Sequence, residues 1–174
     1  MTSQEIIRKA VRIVAEDGYD RLTLSSLAQE LGVSKAGIYH HFSSKEEIID
    51  AIYTHYEADM LHLGFSVDFS RPADEVLSTA LSHWRSIFTS PERSLFISMV
   101  EQRRDVDERA WRDANSLRLM VQSQSEAIFE HIDSRKDADV QLMALLFSSA
   151  LYEGLAHGGM DLDDIARRTL ASLR

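Results

Sequence analysis

The chain has 174 residues, 44% of them hydrophobic, with 7 Gly, 2 Pro and no Cys, and its 19 Lys+Arg against 28 Asp+Glu give a formal net charge of -9. That length fits one compact domain or a small head on a larger body, and so few chain breakers turn the expectation from sandwiches and barrels to an all-α fold. Absent cysteine excludes a disulfide framework, a thiol nucleophile and a Cys-based zinc site, and with no basic leader and no run of about 18 apolar residues neither export nor a membrane span is expected, which leaves the cytoplasm.

Start signals and apolar periodicity mark about nine helices in chain order. Thr2 with Glu5 forms a capping box ahead of Ile6, Ala10, Ile13 and Val14, and Gly18 stops this first helix, over residues 3–17. Thr23 caps a short second helix with Leu24, Leu27, Ala28 and Leu31 inward, ended by Gly32. Ser34 caps a third, over residues 35–42, whose inward pair is Ile38 and Phe42. Ser44 with Glu47 makes another capping box and opens an amphipathic fourth helix over residues 45–64, through Ile48, Ile49, Ile52, Tyr53, Tyr56, Met60 and Leu63. Pro72 reads as the first residue of a fifth helix carrying Val76, Leu77, Ala80, Leu81, Trp84 and Phe88, and Ser90-Pro91 repeats the signal before Leu95, Phe96, Met99 and Val100. Asp105 with Glu108 opens a long helix with Trp111, Leu117, Met120, Val121, Ile128 and Phe129, ending near Ile132. Residues 140–155 are apolar on nearly every face; after Gly158 and Gly159, Asp161 caps a last helix with Leu162, Ile165, Ala166, Thr169, Leu170 and Leu173 along one side.

An acidic chain repels phosphate backbones, so any nucleic-acid site in it has to be local. Residues 31–45 hold Lys35 and Lys45, with His40 and His41 between them, and no acid. The second and third helices bracket the tight Gly32-Val33-Ser34 joint of a helix-turn-helix. Ala28 is small where the two helices cross, Gly32 supplies the left-handed turn four residues on, and Ile38 plugs the gap between the helices. In that geometry the second helix of the pair enters the major groove and shows its N-terminal residues to base edges. At about 100° per residue, Ala36, Gly37 and His40 lie opposite the buried Ile38 and Phe42, flanked by Tyr39 and His41. Small side chains at Ala36 and Gly37 allow close approach to the groove floor. Lys35 reaches a guanine or a phosphate, Tyr39 and His41 donate to phosphates, and Lys45 sits at a helix N-terminus that already favours an anion.

The stretch from Thr23 to Ile48, TLSSLAQELGVSKAGIYHHFSSKEEI, resembles the signature of the tetracycline-repressor-like (TetR) transcriptional regulators, and the resemblance covers residues 5–55. It implies a homodimer on a near-palindromic double-stranded DNA operator, usually a repressor. It also implies a helical body that binds a small-molecule effector and dimerises through its last helices. The matching phosphate positions are Thr23, Tyr39, His41 and Lys45, the matching groove positions are Lys35, Ala36, Gly37 and His40, and Ser34 completes the DNA-facing set. The expected organisation is a head over residues 1–45, a fourth helix that connects it, and a ligand-binding and dimerisation domain over residues 46–174.

In the body, Met60, Trp84, Phe88, Met99, Trp111 and Met120 are the candidate lining of an apolar ligand site, although residues of these types at helical spacing also serve as core. The excess of acids from residue 57 onward, 20 Asp+Glu against 13 Lys+Arg (28−8 and 19−6), tilts the expected ligand towards a cationic or neutral apolar one. A helix apolar all round must be covered on every side, so the last two long helices are expected to pair with those of a second copy. That interface would use Met143, Phe147, Ala150, Leu151, Gly154, Leu155, Ile165 and Leu170. His55 and His62 lie about two turns apart, too far to share a metal, and no phosphate loop, nucleophile elbow or HExxH is present. No metal, cofactor or enzymatic activity is expected. The competing function is a ligand-independent, architectural helix-turn-helix protein, and a body filled completely by its side chains would favour it.

Overall fold

The computed structural model describes residues 1–60, 66–132, 138–158 and 161–172. Among these the chain forms α1 (Ser3–Asp17), a 3-10 turn (Tyr19–Arg21), α2 (Leu24–Leu31), α3 (Lys35–Tyr39), α4 (Lys45–Met60), α5 (Ala73–Phe88), α6 (Pro91–Arg103), α7 (Glu108–Ile132), α8 (Ala138–His157) and α9 (Leu162–Ser172), with no strand. The all-α expectation holds. The last expected turn of α4 to Gly64, with His62 and Leu63, lies outside the described residues, as do Gly159 and Leu173.

Local chemistry sets these boundaries. Thr2 and Glu5 close the capping box of α1, and Gly18 ends it at φ 95°. The Asp161 carboxylate accepts the N–H groups of Asp163 and Asp164, capping α9 as expected. Four starts and stops differ in detail. α3 ends at Tyr39 instead of Phe42, because the His41 N–H turns to the Ile38 carbonyl at 2.9 Å and tightens the last turn. At the start of α4, Glu47 donates its N–H to Ser44 Oγ, but its carboxylate accepts from the N–H and hydroxyl of Ser43. Pro72 is the cap of α5, one residue before its first turn. The start of α7 is held by Asp107, whose Oδ1 accepts from the Arg109 and Ala110 N–H groups, so the Asp105 box is replaced by a cap two residues on.

The buried side chains fall in two clusters. The first joins α1 to α4 with Phe96, Met99 and Val100 of α6 and Ala110 and Ala114 of α7. The second gathers α5, the rest of α7, α8 and α9 around Trp84, Phe88, Phe129, Phe147 and Leu151. The head is therefore seated on α6 chiefly through α1, which carries the helix-turn-helix. Gln102 reinforces the seat, its amide donating to the Ala15 carbonyl at 2.8 Å.

Candidate nucleic-acid interface and body cavity

The joint between α2 and α3 is built as the spacing requires. Gly32 adopts the left-handed conformation (φ 66°, ψ 30°), and the Val33 N–H donates to the Ala28 carbonyl at 2.9 Å. Ala28 and Ile38 are both buried at the crossing. Thr23 caps α2 through a reciprocal pair with Ser26, and Ser34 caps α3 by accepting the Gly37 N–H at 3.2 Å. Two of the expected DNA-facing residues thus also hold the frame.

On the outer side, Lys35, Ala36 and His40 are exposed, and Tyr39 is 57% exposed. A tyrosine left that open on a five-residue helix is not spent on the core. Gly37 is half-buried, and a Cβ placed there would meet Met1 Cε and Ser34 Oγ at 3.7 Å, ordinary contacts. Among the described residues nothing demands glycine at that position. Gly32 is the opposite case: a Cβ there has open space, but its backbone is left-handed. Gly32→Ala is expected to cost about 1 kcal/mol, whereas Gly37→Ala should gain up to about 1 kcal/mol from helix propensity. Thermal melting of the two variants checks this.

His41 and Lys45 are less free than the sequence suggests. The His41 ring sits half-buried, with Nδ1 3.2 Å from Ser3 Oγ, and packs edge-on to His40. Lys45 donates to the Tyr19 carbonyl at 2.6 Å and lies 3.6 Å over the Tyr19 ring centre. Burial lowers its pKa from the ordinary lysine value, with the Arg103 guanidinium adding to that. The same Tyr19 ring carries Arg103 at 3.7 Å, and Arg103 pairs with Asp107 at 3.1 Å. Burial would raise the Asp107 pKa, but Arg103 and the N–H groups of Ala110 and Arg109 outweigh it and hold it low. This chain of contacts ties the start of α4 to the start of α7. Sequence reasoning missed it, because Tyr19 and Lys45 lie far in sequence from the Arg103–Asp107 pair and meet it only after folding.

A cavity of about 760 Å3 opens between α4 and α7. Thr54, Glu57, Ala58 and Met60 line it from α4; Arg112, Asp113, Ser116, Leu117, Met120 and Gln124 line it from α7, with Phe96 of α6. Of the six residues expected to line a ligand site, Met60 and Met120 do so. Trp84 stands behind the wall, its Nε1 donating to Gln124 Oε1. Phe88 and Met99 are core, and Trp111 is 57% exposed, because it lies about 120° around α7 from the inward Leu117. The polar lining was legible only as a stripe, with Asp113, Ser116, Met120 and Gln124 recurring every third or fourth residue along α7.

Asp113 is the unusual member. It is half-buried, its Oδ2 is shut from solvent, and among the described residues no donor reaches that oxygen. Burial, then the Glu57 charge, push its pKa up to about 6, against the weaker pull of Arg112 and Arg109. An Asp that holds its proton more tightly folded than unfolded costs stability. The parent should lose stability as pH rises from about 4 to about 6 and stay at that lower level above it. Asp113→Asn removes the charge, so at pH 7.5 it should be more stable by about 1–2 kcal/mol, discounted for partial solvent screening. Below pH 4 the difference should vanish, as melting at the two pH values would show.

The interface residues expected on α8 and α9 divide. Phe147 and Leu151 are buried in the second core cluster and Gly154 is covered, so these three do not face outward as expected. Met143, Ala150, Leu155, Ile165 and Leu170 are half-buried. The open apolar face of α8 is instead Leu142, Leu145 and Leu146, at 53%, 42% and 62% exposure. Among the described residues no group of three or more metal-ligating side chains converges, and no helix is long and apolar enough to cross a membrane.

Comparison with known proteins places this architecture. Residues 6–52 match the family model of bacterial regulatory proteins, tetR family. The HTH-type transcriptional repressor AcnR of Corynebacterium diphtheriae is 42% identical over 52 residues, which is 30% of this chain and 27% of that protein. The chain thus matches about a quarter of the length of that curated relative. Over the whole fold, it is similar to a TetR-family transcriptional regulator from Marinobacter aquaeolei VT8, with TM-score 0.64 and 19% identity over 99% of this chain and 89% of the other. A putative transcriptional regulator from Saccharomonospora viridis, solved in complex with choline, gives TM-score 0.61 and 20% identity over 96% and 92%. Residues 6–52, with the signature and the joint described above, are thus a domain of the tetR family of bacterial regulatory proteins, set on a body whose fold is similar to that of these solved regulators.

Proposed function

We propose that the chain is a ligand-responsive transcriptional repressor that binds a near-palindromic operator as a homodimer, in the cytoplasm, with α3 in the major groove. The observation that carries this reading is the outer side of α3, where Lys35, Ala36, Tyr39 and His40 stand open on a joint fixed by Gly32, Ala28 and Ile38. Its relative AcnR is named a transcriptional repressor. Among the described residues no packing requires Gly37, and its small size suits close approach to a groove floor. Thr23, Ser34, His41 and Lys45 then border the site as phosphate-side or frame residues.

Ligand response rests on α4. This single helix of 16 residues, about 24 Å long, starts at Lys45 beside the DNA face and reaches the cavity through Thr54, Glu57, Ala58 and Met60. A ligand that prefers one placement of α4 shifts the head with it, and only a differential affinity for the two placements does so. The open cavity supports this reading over a ligand-independent architectural protein, whose body has no need of one. The solved relative holding choline supports a small-molecule site in a body of this fold. The head over residues 1–45 and the ligand-binding and dimerisation domain over residues 46–174 are the corresponding division of labour.

Homodimerisation is read from Leu142, Leu145 and Leu146, which with Ser149 form an i, i+3, i+4, i+7 stripe left uncovered on α8. A twofold pairing of α8 would bury that stripe and hold two heads on one side, at successive major grooves about 34–36 Å apart. Gly37→Ala tests the DNA face directly. A variant as stable as the parent that binds its selected duplex at least about fivefold more weakly supports the reading; unchanged affinity in an anisotropy titration speaks against it.

A further inference from the structure

The cavity between α4 and α7 has a defined polarity, and it follows from the helix that forms its floor. Asp113, Ser116, Leu117, Met120 and Gln124 lie on one face of α7, a stripe about 16 Å long. One end carries Asp113, across from Glu57 of α4. The middle is apolar, walled by Met60, Phe96, Leu117 and Met120. At the other end Gln124 lines the cavity, with its Oε1 already taken by the Trp84 N–H. Its amide nitrogen is the end left for a ligand acceptor.

The two acids at the charged end differ in one respect. Glu57 is paired with Arg109 at 3.2 Å, and Arg109 also holds Asp50 at 2.9 Å. Asp113 has no such partner: no ion pair to it forms among the described residues, and no donor reaches its buried oxygen. A half-buried carboxylate without a cationic partner is poorly compensated, and a donor reaching it from the cavity side recovers part of that cost. Arg112, the basic side chain on the lining, is exposed, so an anion entering here meets two carboxylates inside before it gains one screened guanidinium.

We propose that this cavity takes an elongated organic ammonium ion, with the N–H donating to the Asp113 carboxylate and the apolar chain lying along Phe96, Leu117 and Met120. The assignment rests on the ligand-responsive reading above and specifies its ligand class. A charge-assisted N–H···O bond is stronger than the neutral equivalent, so charge type is the selectivity determinant here. Apolar contact with two methionines tolerates variation in chain shape, so length matters less than the charged head.

Three probes of one chain length separate the possibilities: decylamine, decan-1-ol and sodium decanoate, titrated calorimetrically into the full chain at pH 7.5. Decylamine should bind at least about tenfold more tightly than the alcohol, with decanoate weakest. Asp113→Asn should cost decylamine at least about tenfold and leave the alcohol within threefold. Near pH 6 the decylamine heat should vary with the ionisation enthalpy of the buffer, because the bound cation drives a proton off Asp113; a purely structural carboxylate would give no such dependence. Equal binding of amine and alcohol by the parent protein overturns the assignment, and so does failure of decylamine to bind. Those comparisons need no variant and stand even if Asp113→Asn does not fold. Titrating the same probes into the protein on its selected duplex separates the two readings. Release by decan-1-ol and not by decylamine keeps the ligand-responsive regulator and overturns the ammonium assignment. Binding of decylamine with unchanged duplex affinity keeps the ammonium site and sinks ligand response.

Discussion

A folded Lys35→Ala, Tyr39→Ala double variant is expected to bind its selected duplex at least about 100-fold more weakly than the parent, with most of the sequence preference gone. Both side chains are exposed on α3 and neither belongs to a core cluster, so melting should stay close to that of the parent. In a twofold complex each is lost twice, and contacts worth about 1–3 kcal/mol each accumulate to that factor. Lys45→Ala should behave differently. Its ammonium is held by the Tyr19 carbonyl and ring, so the variant should lose some stability together with some affinity for every sequence. Binding of the double variant at parental strength would remove α3 as the reading element.

The second large effect concerns α8. Leu142→Glu with Leu146→Glu places two charges on a face that is open in the single chain, so the protein should fold, sediment as a monomer and lose at least about 100-fold on a two-half-site duplex. Leu151→Glu should not fold at all, since Leu151 is fully buried between α8 and the second core and its carboxylate would find no partner there. Persistence of the dimer in the leucine pair would place the interface on another face. Neither result follows from hydrophobicity alone, because all three side chains are leucine and only their direction around α8 distinguishes them.

That direction is what the sequence withheld. A helix such as α8, apolar on nearly every side, offers no periodic minimum from which to choose the inward face, so Phe147 and Leu151 read equally well as surface or core. In the head the opposite holds. Ala28, Gly32 and Ile38 are constrained by a crossing, a left-handed turn and a plug, three different physical requirements at fixed spacing, and each is met where the sequence places it. The caps were legible for the same reason: Thr2, Thr23, Ser34 and Asp161 each satisfy backbone N–H groups close by in the sequence. The cavity was half legible. Met60 and Met120 show in the apolar pattern, but Asp113 looks like any surface acid until Glu57 and Phe96, more than a helix away, are folded against it. Long-range meetings of single residues leave no local signature.

Selection of duplexes from a random pool by the purified full chain tests the DNA-reading head most directly. The proposed dimer predicts enrichment of a near-palindrome whose half-sites lie about one helical turn apart, lost when Lys35→Ala, Tyr39→Ala protein is used. A pool that shows no sequence enrichment, or the same enrichment with the double variant, would contradict it.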